Sequence, residues 1–111
     1  MRPSHVQSRP ILRAAVAAAA MLVAFSTNAQ SPPPKLGLCA ACHGEHGVAN
    51  SPAIPNLAAQ NLVYLRSALA QYKSAARDVP AMRAAASMLA DADAELVLQW
   101  YAAQPPRSAT P

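Results

Sequence analysis

The chain has 111 residues, enough for one domain at most, and its nine Lys and Arg outnumber its five Asp and Glu, giving a formal net charge of +4. Three of the arginines lie in the first 13 residues, whereas residues 30–111 carry six basic and five acidic side chains. This balanced segment gives no support to nucleic-acid binding, because such binding needs clustered positive charge.

The N-terminal segment is typical of a cleavable secretory signal peptide. A basic start precedes an uncharged apolar run from Ala14 to Phe25, and Thr27-Asn28-Ala29 has small residues at the two positions that signal peptidase inspects. A transmembrane helix needs about 20 apolar residues, so an uncleaved anchor fits this run less well. We therefore expect residues 1–29 to be removed on export to the periplasm.

The next segments are short and interrupted by helix-breaking residues. Three consecutive prolines make residues 30–37 an extended leader, and a short helix is predicted from Lys35 to Cys42. Two glycines and two prolines then predict an irregular loop from Gly44 to Asn61.

From Asn61 the apolar residues recur at helical spacing. The positions that share one face are Leu62, Leu65, Leu69 and Tyr72. Asp78-Val79-Pro80 is predicted to end this helix and to leave Met82 in the following loop.

A last helix is predicted from Asp91 to Ala103, with Asp91 as its N-cap and Pro105-Pro106 beyond its end. No segment alternates with the period of two that strands require. The predicted fold class is therefore all-α, with about three helices joined by long loops.

The strongest chemical signal is the C-x-x-C-H motif Cys39-Ala40-Ala41-Cys42-His43. This pattern is typical of c-type haem attachment, in which two thiols form thioethers with one porphyrin and the histidine binds its iron. Residues 30–111 contain no Phe, one Trp and three Tyr. So small a domain would gain stability from a large apolar group at its centre.

Two other chemistries fit the same cysteines less well. A thiol–disulfide oxidoreductase also uses C-x-x-C with a lowered thiol pKa, but normally on a βαβ scaffold, and no strand is predicted. A zinc site would take its donors from Cys39, Cys42, His43 and His46. Adjacent Cys42 and His43 are, however, awkward to place on one tetrahedral ion.

Several ordered features resemble the class I c-type cytochromes, particularly the small bacterial monohaem proteins of the cytochrome c4 and c553 groups. They are the C-x-x-C-H-G segment at 39–44, Pro55-Asn56-Leu57, the segment from Asn61 to Leu65, the segment 82–93, and the Trp100-Tyr101 pair. The likeness covers about Leu38 to Ala103. It implies a small cytochrome c fold wrapped around a covalently bound haem, with the domain at 38–104 and a tail at 105–111.

The resemblance implies a role for each matching residue. Cys39 and Cys42 would form the thioethers, and His43 would be one axial ligand of the iron. The carbonyl of Pro55 would accept a hydrogen bond from the other ring nitrogen of that histidine, and Leu57 would lie against the porphyrin.

Met82 would supply the sulfur ligand on the opposite side of the haem. Its place after Pro80, before the last helix, favours this role. Met88 is expected to pack in the core, and His46 to be an exposed loop residue. Trp100 and Tyr101 are expected to pack in the core and at the haem edge.

The sequence departs from the resembled family at three places. The N-terminal helix is short, and Gly37 is its one candidate for close contact with the last helix. Ala59 stands where relatives often have Gly, and Ala90 where they often have a Ser N-cap.

A neutral imidazole and a soft thioether favour ferrous iron, raise its potential and leave no open position. We therefore predict a periplasmic single-electron carrier with one haem c per chain, which is not an enzyme. Its partners would be soluble or membrane-bound redox proteins, and neither nucleic-acid binding nor stable membrane insertion after signal cleavage is expected. The alternatives are a periplasmic dithiol oxidoreductase, or a haem-based sensor or ligand-binding protein.

Overall fold

The computed structural model describes Ser4 and residues 30–107, which form four α-helices and no strand. The helices are α1 (Gly37–His43), α2 (Leu62–Lys73), α3 (Pro80–Ser87) and α4 (Asp91–Ala102). The predicted all-α class is confirmed, with four helices in place of about three. In this part of the chain no helix has the length and apolar character needed to cross a membrane. The rest of the predicted signal peptide and the last four residues of the tail lie outside the described residues.

Helix α1 begins two residues later than predicted and is anchored by the residue before it. Leu36, which the sequence suggested belongs to an extended leader, is only 4% exposed and lies in the core. Cys39 and Ala40 follow it at helical spacing and pack against the same core. Gly37 has open space around it, so the expectation that it makes the close contact is wrong.

Helix α2 has the predicted buried face and begins directly after Asn61, which caps it. The Asn61 side chain accepts a hydrogen bond from the backbone N–H of Tyr64, at 3.0 Å. Leu65 is buried, and Leu62 and Leu69 pack against the core cluster. After the helix, Ala75 adopts a left-handed conformation with φ 63°, and its N–H donates to the carbonyl of Tyr72.

Helix α3 is the main difference from the prediction. Pro80 does not leave a loop behind it but occupies the first helical position, where its fixed φ and missing N–H cost nothing. Met82 therefore lies on a helix. Met88, expected in the core, is 66% exposed, because it caps the helix and lies off the face that carries buried Ala86 and Leu89.

Helix α4 begins at Asp91 and ends one residue before the prediction. Asp91 is its first residue rather than its N-cap, which is Ala90 with no side-chain capping bond. The carboxylate of Asp91 is engaged instead by Lys73, at 2.8 Å.

The core lies where α4 meets α2 and the start of α1. The buried residues that form it are Leu36, Leu65, Val97, Leu98, Trp100 and Tyr101. Helix α2 packs against both α3 and α4. On the surface of its packing with α4, the Arg66 guanidinium donates two hydrogen bonds to the Glu95 carboxylate. This contact, with a second from the Gln99 amide, lowers the pKa of Glu95 from 4.5 to about 2.

The Arg66–Glu95 ion pair predicts an acid-dependent part of the stability. The folded state lowers the pKa of Glu95, so the ion pair contributes fully to the unfolding free energy above about pH 4.5. This contribution is lost as the pH falls towards 2. Replacing Glu95 with Gln should therefore flatten the pH dependence of the urea unfolding midpoint in that window.

Asp93→Asn is the matched control for this experiment. Asp93 is also an acid of α4, but it takes part in none of the ion pairs seen among residues 30–107. An equal flattening in both variants would show that the ion pair is not responsible.

Candidate functional site

His43 is the last residue of α1 and the buried polar side chain at the centre of the site, with 6% exposure. Its Nδ1–H donates to the carbonyl oxygen of Pro55, at 2.8 Å. A carbonyl can only accept, so this bond fixes the proton on Nδ1 and leaves the lone pair of Nε2 available to a metal. The hydrogen bond implied by the resemblance is therefore present, while the ligand role of His43 remains a prediction.

Both cysteines of the motif are free thiols on α1, about one helical turn apart. Cys39 is half-buried against the core and Cys42 is exposed. Burial raises the pKa of the Cys39 thiol, the opposite of what a reactive dithiol needs. Two free thiols beside a histidine with an available Nε2 form a donor set that fits thioether attachment and axial ligation of a haem.

The loop after His43 is folded back so that Pro55 reaches the imidazole. The carbonyl of Gly47 accepts hydrogen bonds from the N–H groups of Leu57, at 2.8 Å, and Ala58, at 3.1 Å. Gly47 has φ 77°, and a Cβ there would lie 2.5 Å from the backbone nitrogen of Ala58. Only glycine allows this approach without a shift of the loop. Leu57 is thereby held half-buried against the core.

The Trp100–Tyr101 pair holds the other end of this loop. The indole Nε1–H of Trp100 donates to the carbonyl of Glu45, at 2.6 Å, and the hydroxyl of Tyr101 donates to that of Gly44, at 2.9 Å. Sequence reasoning placed both rings in the core but missed these bonds. Such bonds could have been expected from the residue types, because buried Trp and Tyr side chains need hydrogen-bond partners for their polar atoms.

His46 is exposed, as predicted, and lies beside the same helix end. Its Nδ1 is 3.0 Å from Oε1 of Gln104, and its ring centroid lies 5.9 Å from that of Trp100. Among the described residues no three His, Cys, Asp or Glu side chains come close enough to hold a metal ion. The four-donor zinc arrangement is therefore not formed.

Met82 comes from a different part of the fold from the other candidate residues. It lies half-buried on α3, which packs against α2, and shares a helix face with buried Ala86 and Leu89. His43 and Pro55 are in direct contact, and Cys39 and Leu57 pack on one core. The site thus consists of a histidine side built by α1 and its loop, and a methionine carried separately by α3.

The hydrogen bond from Tyr101 to Gly44 predicts a specific loss of stability. Burial raises the pKa of the Tyr101 phenol, so the hydroxyl remains a donor at ordinary pH. Replacing Tyr101 with Phe leaves the Gly44 carbonyl without this partner and should cost about 1–2 kcal/mol of unfolding free energy, measured by urea titration.

Tyr64→Phe is the control, because Tyr64 is 47% exposed and water can replace its hydroxyl contacts. It should change the unfolding free energy by less than about 0.5 kcal/mol. Equal losses in the two variants would contradict the importance of the Gly44 bond.

Comparison with known proteins identifies the family of the chain. No protein-family model matches the chain. The chain is similar to cytochrome c-554(548) of Halomonas halodenitrificans, with 34% identity over 73 residues that cover 63% of this chain and 88% of that protein. The matched length spans nearly the whole relative, and the described residues are all-helical. The chain therefore belongs to the class I c-type cytochromes and has their small all-α fold.

Proposed function

We propose that this protein is a periplasmic single-electron carrier with one covalently bound haem c, ligated by His43 and Met82. Membership of the c-type cytochromes supports a haem-based electron carrier, and we propose electron transfer rather than enzymatic catalysis as its task. The observation that carries the finer proposal is the 2.8 Å bond from His43 Nδ1–H to the Pro55 carbonyl. It leaves Nε2 free for iron directly after two free thiols.

When bound, the haem supplies a reversible one-electron couple between ferrous and ferric iron. Cys39 and Cys42 would fix its position by thioether bonds from α1. His43 would donate its Nε2 lone pair, and the Pro55 carbonyl holds the ring in the required tautomer and orientation.

Met82 would donate a neutral, soft sulfur from α3. A neutral imidazole and a thioether together disfavour ferric iron and so raise the potential. If His43 and Met82 both bind the iron, no coordination position would remain for a substrate, which supports electron transfer as the task. Leu57 packs against the core, and the His43 side chain is itself buried.

We also propose that the chain is exported and that it exchanges electrons with partner proteins. Cleavage after Ala29 would release residues 30–111, and thioether formation requires exported chains with reduced cysteines. The partners would be a redox donor and a redox acceptor, soluble or membrane-bound, met through the small transient contacts that electron transfer uses.

The test of the ligands compares Met82→Ala with Met88→Ala in haem-loaded protein. Loss of the sulfur ligand should abolish the weak far-red absorption band of the ferric protein. It should also lower the potential by on the order of 100 mV, within the about 0.8 V range that axial ligands span. Met88 is exposed at the end of α3, so its replacement should change neither value.

Two results would contradict the proposal. An unchanged far-red band in Met82→Ala would remove Met82 as ligand and favour a haem-based sensor or ligand-binding protein with an open sixth position. A colourless chain with two free or oxidised thiols, after expression with complete haem-attachment machinery, would favour the dithiol oxidoreductase instead.

A further inference from the structure

Lys73 joins α2 to the connection between α3 and α4, and to the start of α4, through its ammonium group. It is the last residue of α2, and its Nζ lies 2.8 Å from the carbonyl oxygen of Leu89, just beyond α3. The same Nζ lies 2.8 Å from Oδ1 of Asp91, the first residue of α4. We call these two hydrogen bonds the Lys73 clasp.

The two bonds of the clasp differ in their surroundings. The Lys73 side chain is 26% exposed, whereas that of Asp91 is 99% exposed. Solvent screens the pair with Asp91, so its contribution is small. The bond to the Leu89 carbonyl is partly buried and charge-assisted, so it is the stronger of the two. The clasp therefore acts mainly on Leu89, in the short connection that follows α3.

Leu89 continues the face of α3 that carries Met82. Residues 82, 86 and 89 follow the i, i+4, i+7 spacing of one face. Ala86 is completely buried and Leu89 is 4% exposed, so this face lies against the rest of the protein. Holding the Leu89 carbonyl restrains the segment at which this face ends, and through the face it restrains Met82.

The other charged contact of α3 does not have this effect. Arg83 pairs with Asp78 at 3.1 Å, five residues earlier in the chain, and both side chains are largely exposed. The pair connects α3 only to the turn before it. Lys73 thus ties Leu89, which follows α3 in the chain, to α2 and to the start of α4.

We infer that Lys73 is a positioning residue for Met82, holding α3 in the placement that keeps the thioether on the iron. The inference rests on the proposed His43 and Met82 ligation. It assigns Lys73 no contact with the haem, since the clasp acts through the Leu89 carbonyl and the face of α3.

Imidazole binding to the ferric holoprotein tests the inference, because imidazole takes the position from which Met82 has dissociated. Its apparent affinity rises with the fraction of molecules in which that bond is open. Lys73→Met keeps the aliphatic length but lacks the donors, and should bind imidazole roughly fivefold more tightly. Lys73→Arg should restore the wild-type value, since a guanidinium can donate to both acceptors.

Two charge-removing variants serve as matched controls. Arg83→Gln removes a charge from α3 itself, and Glu95→Gln breaks the ion pair between α2 and α4 without touching α3. Both should stay within about twofold of wild type, because neither pair holds the Leu89 carbonyl. If Lys73→Met does not accumulate as holoprotein, Lys73→Gln carries the same expectation.

Three results would overturn the inference. They are wild-type imidazole affinity in Lys73→Met, an equal rise in the two control variants, and failure of Lys73→Arg to restore the affinity. Failure of the proposed ligation would be recognised separately, because the far-red band would then be absent from the wild-type protein or survive in Met82→Ala.

Discussion

The hydrogen bond from His43 to the Pro55 carbonyl is the interaction on which the rest of the site depends. It requires the chain to leave α1, turn and return within twelve residues. Gly47 makes that return possible, because its carbonyl collects the N–H groups of Leu57 and Ala58 at an approach no side chain allows. The loop has no regular secondary structure, but these hydrogen bonds define its path. They thereby orient the imidazole ring of His43.

Helix α4 connects this loop to the rest of the fold. At its C-terminal end, Trp100 and Tyr101 donate hydrogen bonds to the backbone carbonyls just after His43. Val97 and Leu98 of the same helix lie in the core. The backbone carbonyl of Tyr101 also accepts from the N–H of Ala59, at 3.1 Å, so one helix end fixes the loop at both of its ends. The loop on the histidine side is therefore held by hydrogen bonds at both of its ends. The position of Met82 depends instead on how α3 packs against α2.

Features set by nearby residues were predictable, and features set by distant backbone atoms were not. The buried face of α2 and its Asn61 cap follow from spacing and residue type alone. Helix α3 was not predicted because a proline such as Pro80 usually indicates a helix break. A proline breaks a helix in its interior but is well tolerated at the first position, where Pro80 lies. The bonds that Trp100 and Lys73 make to carbonyls leave no spacing pattern, since any residue supplies the acceptor. The C-x-x-C-H motif could be recognised because covalent haem attachment demands particular residues at fixed separation.

Ala59 and Ala75 both hold the backbone in the left-handed region, with φ 58° and 63°, on either side of α2. Each costs roughly 1 kcal/mol relative to glycine, in a domain whose whole stability is only a few kcal/mol. A bound prosthetic group offsets such losses, because it stabilises the folded state alone. Chains without the bound group therefore populate the unfolded state more often and are degraded sooner than chains that carry it.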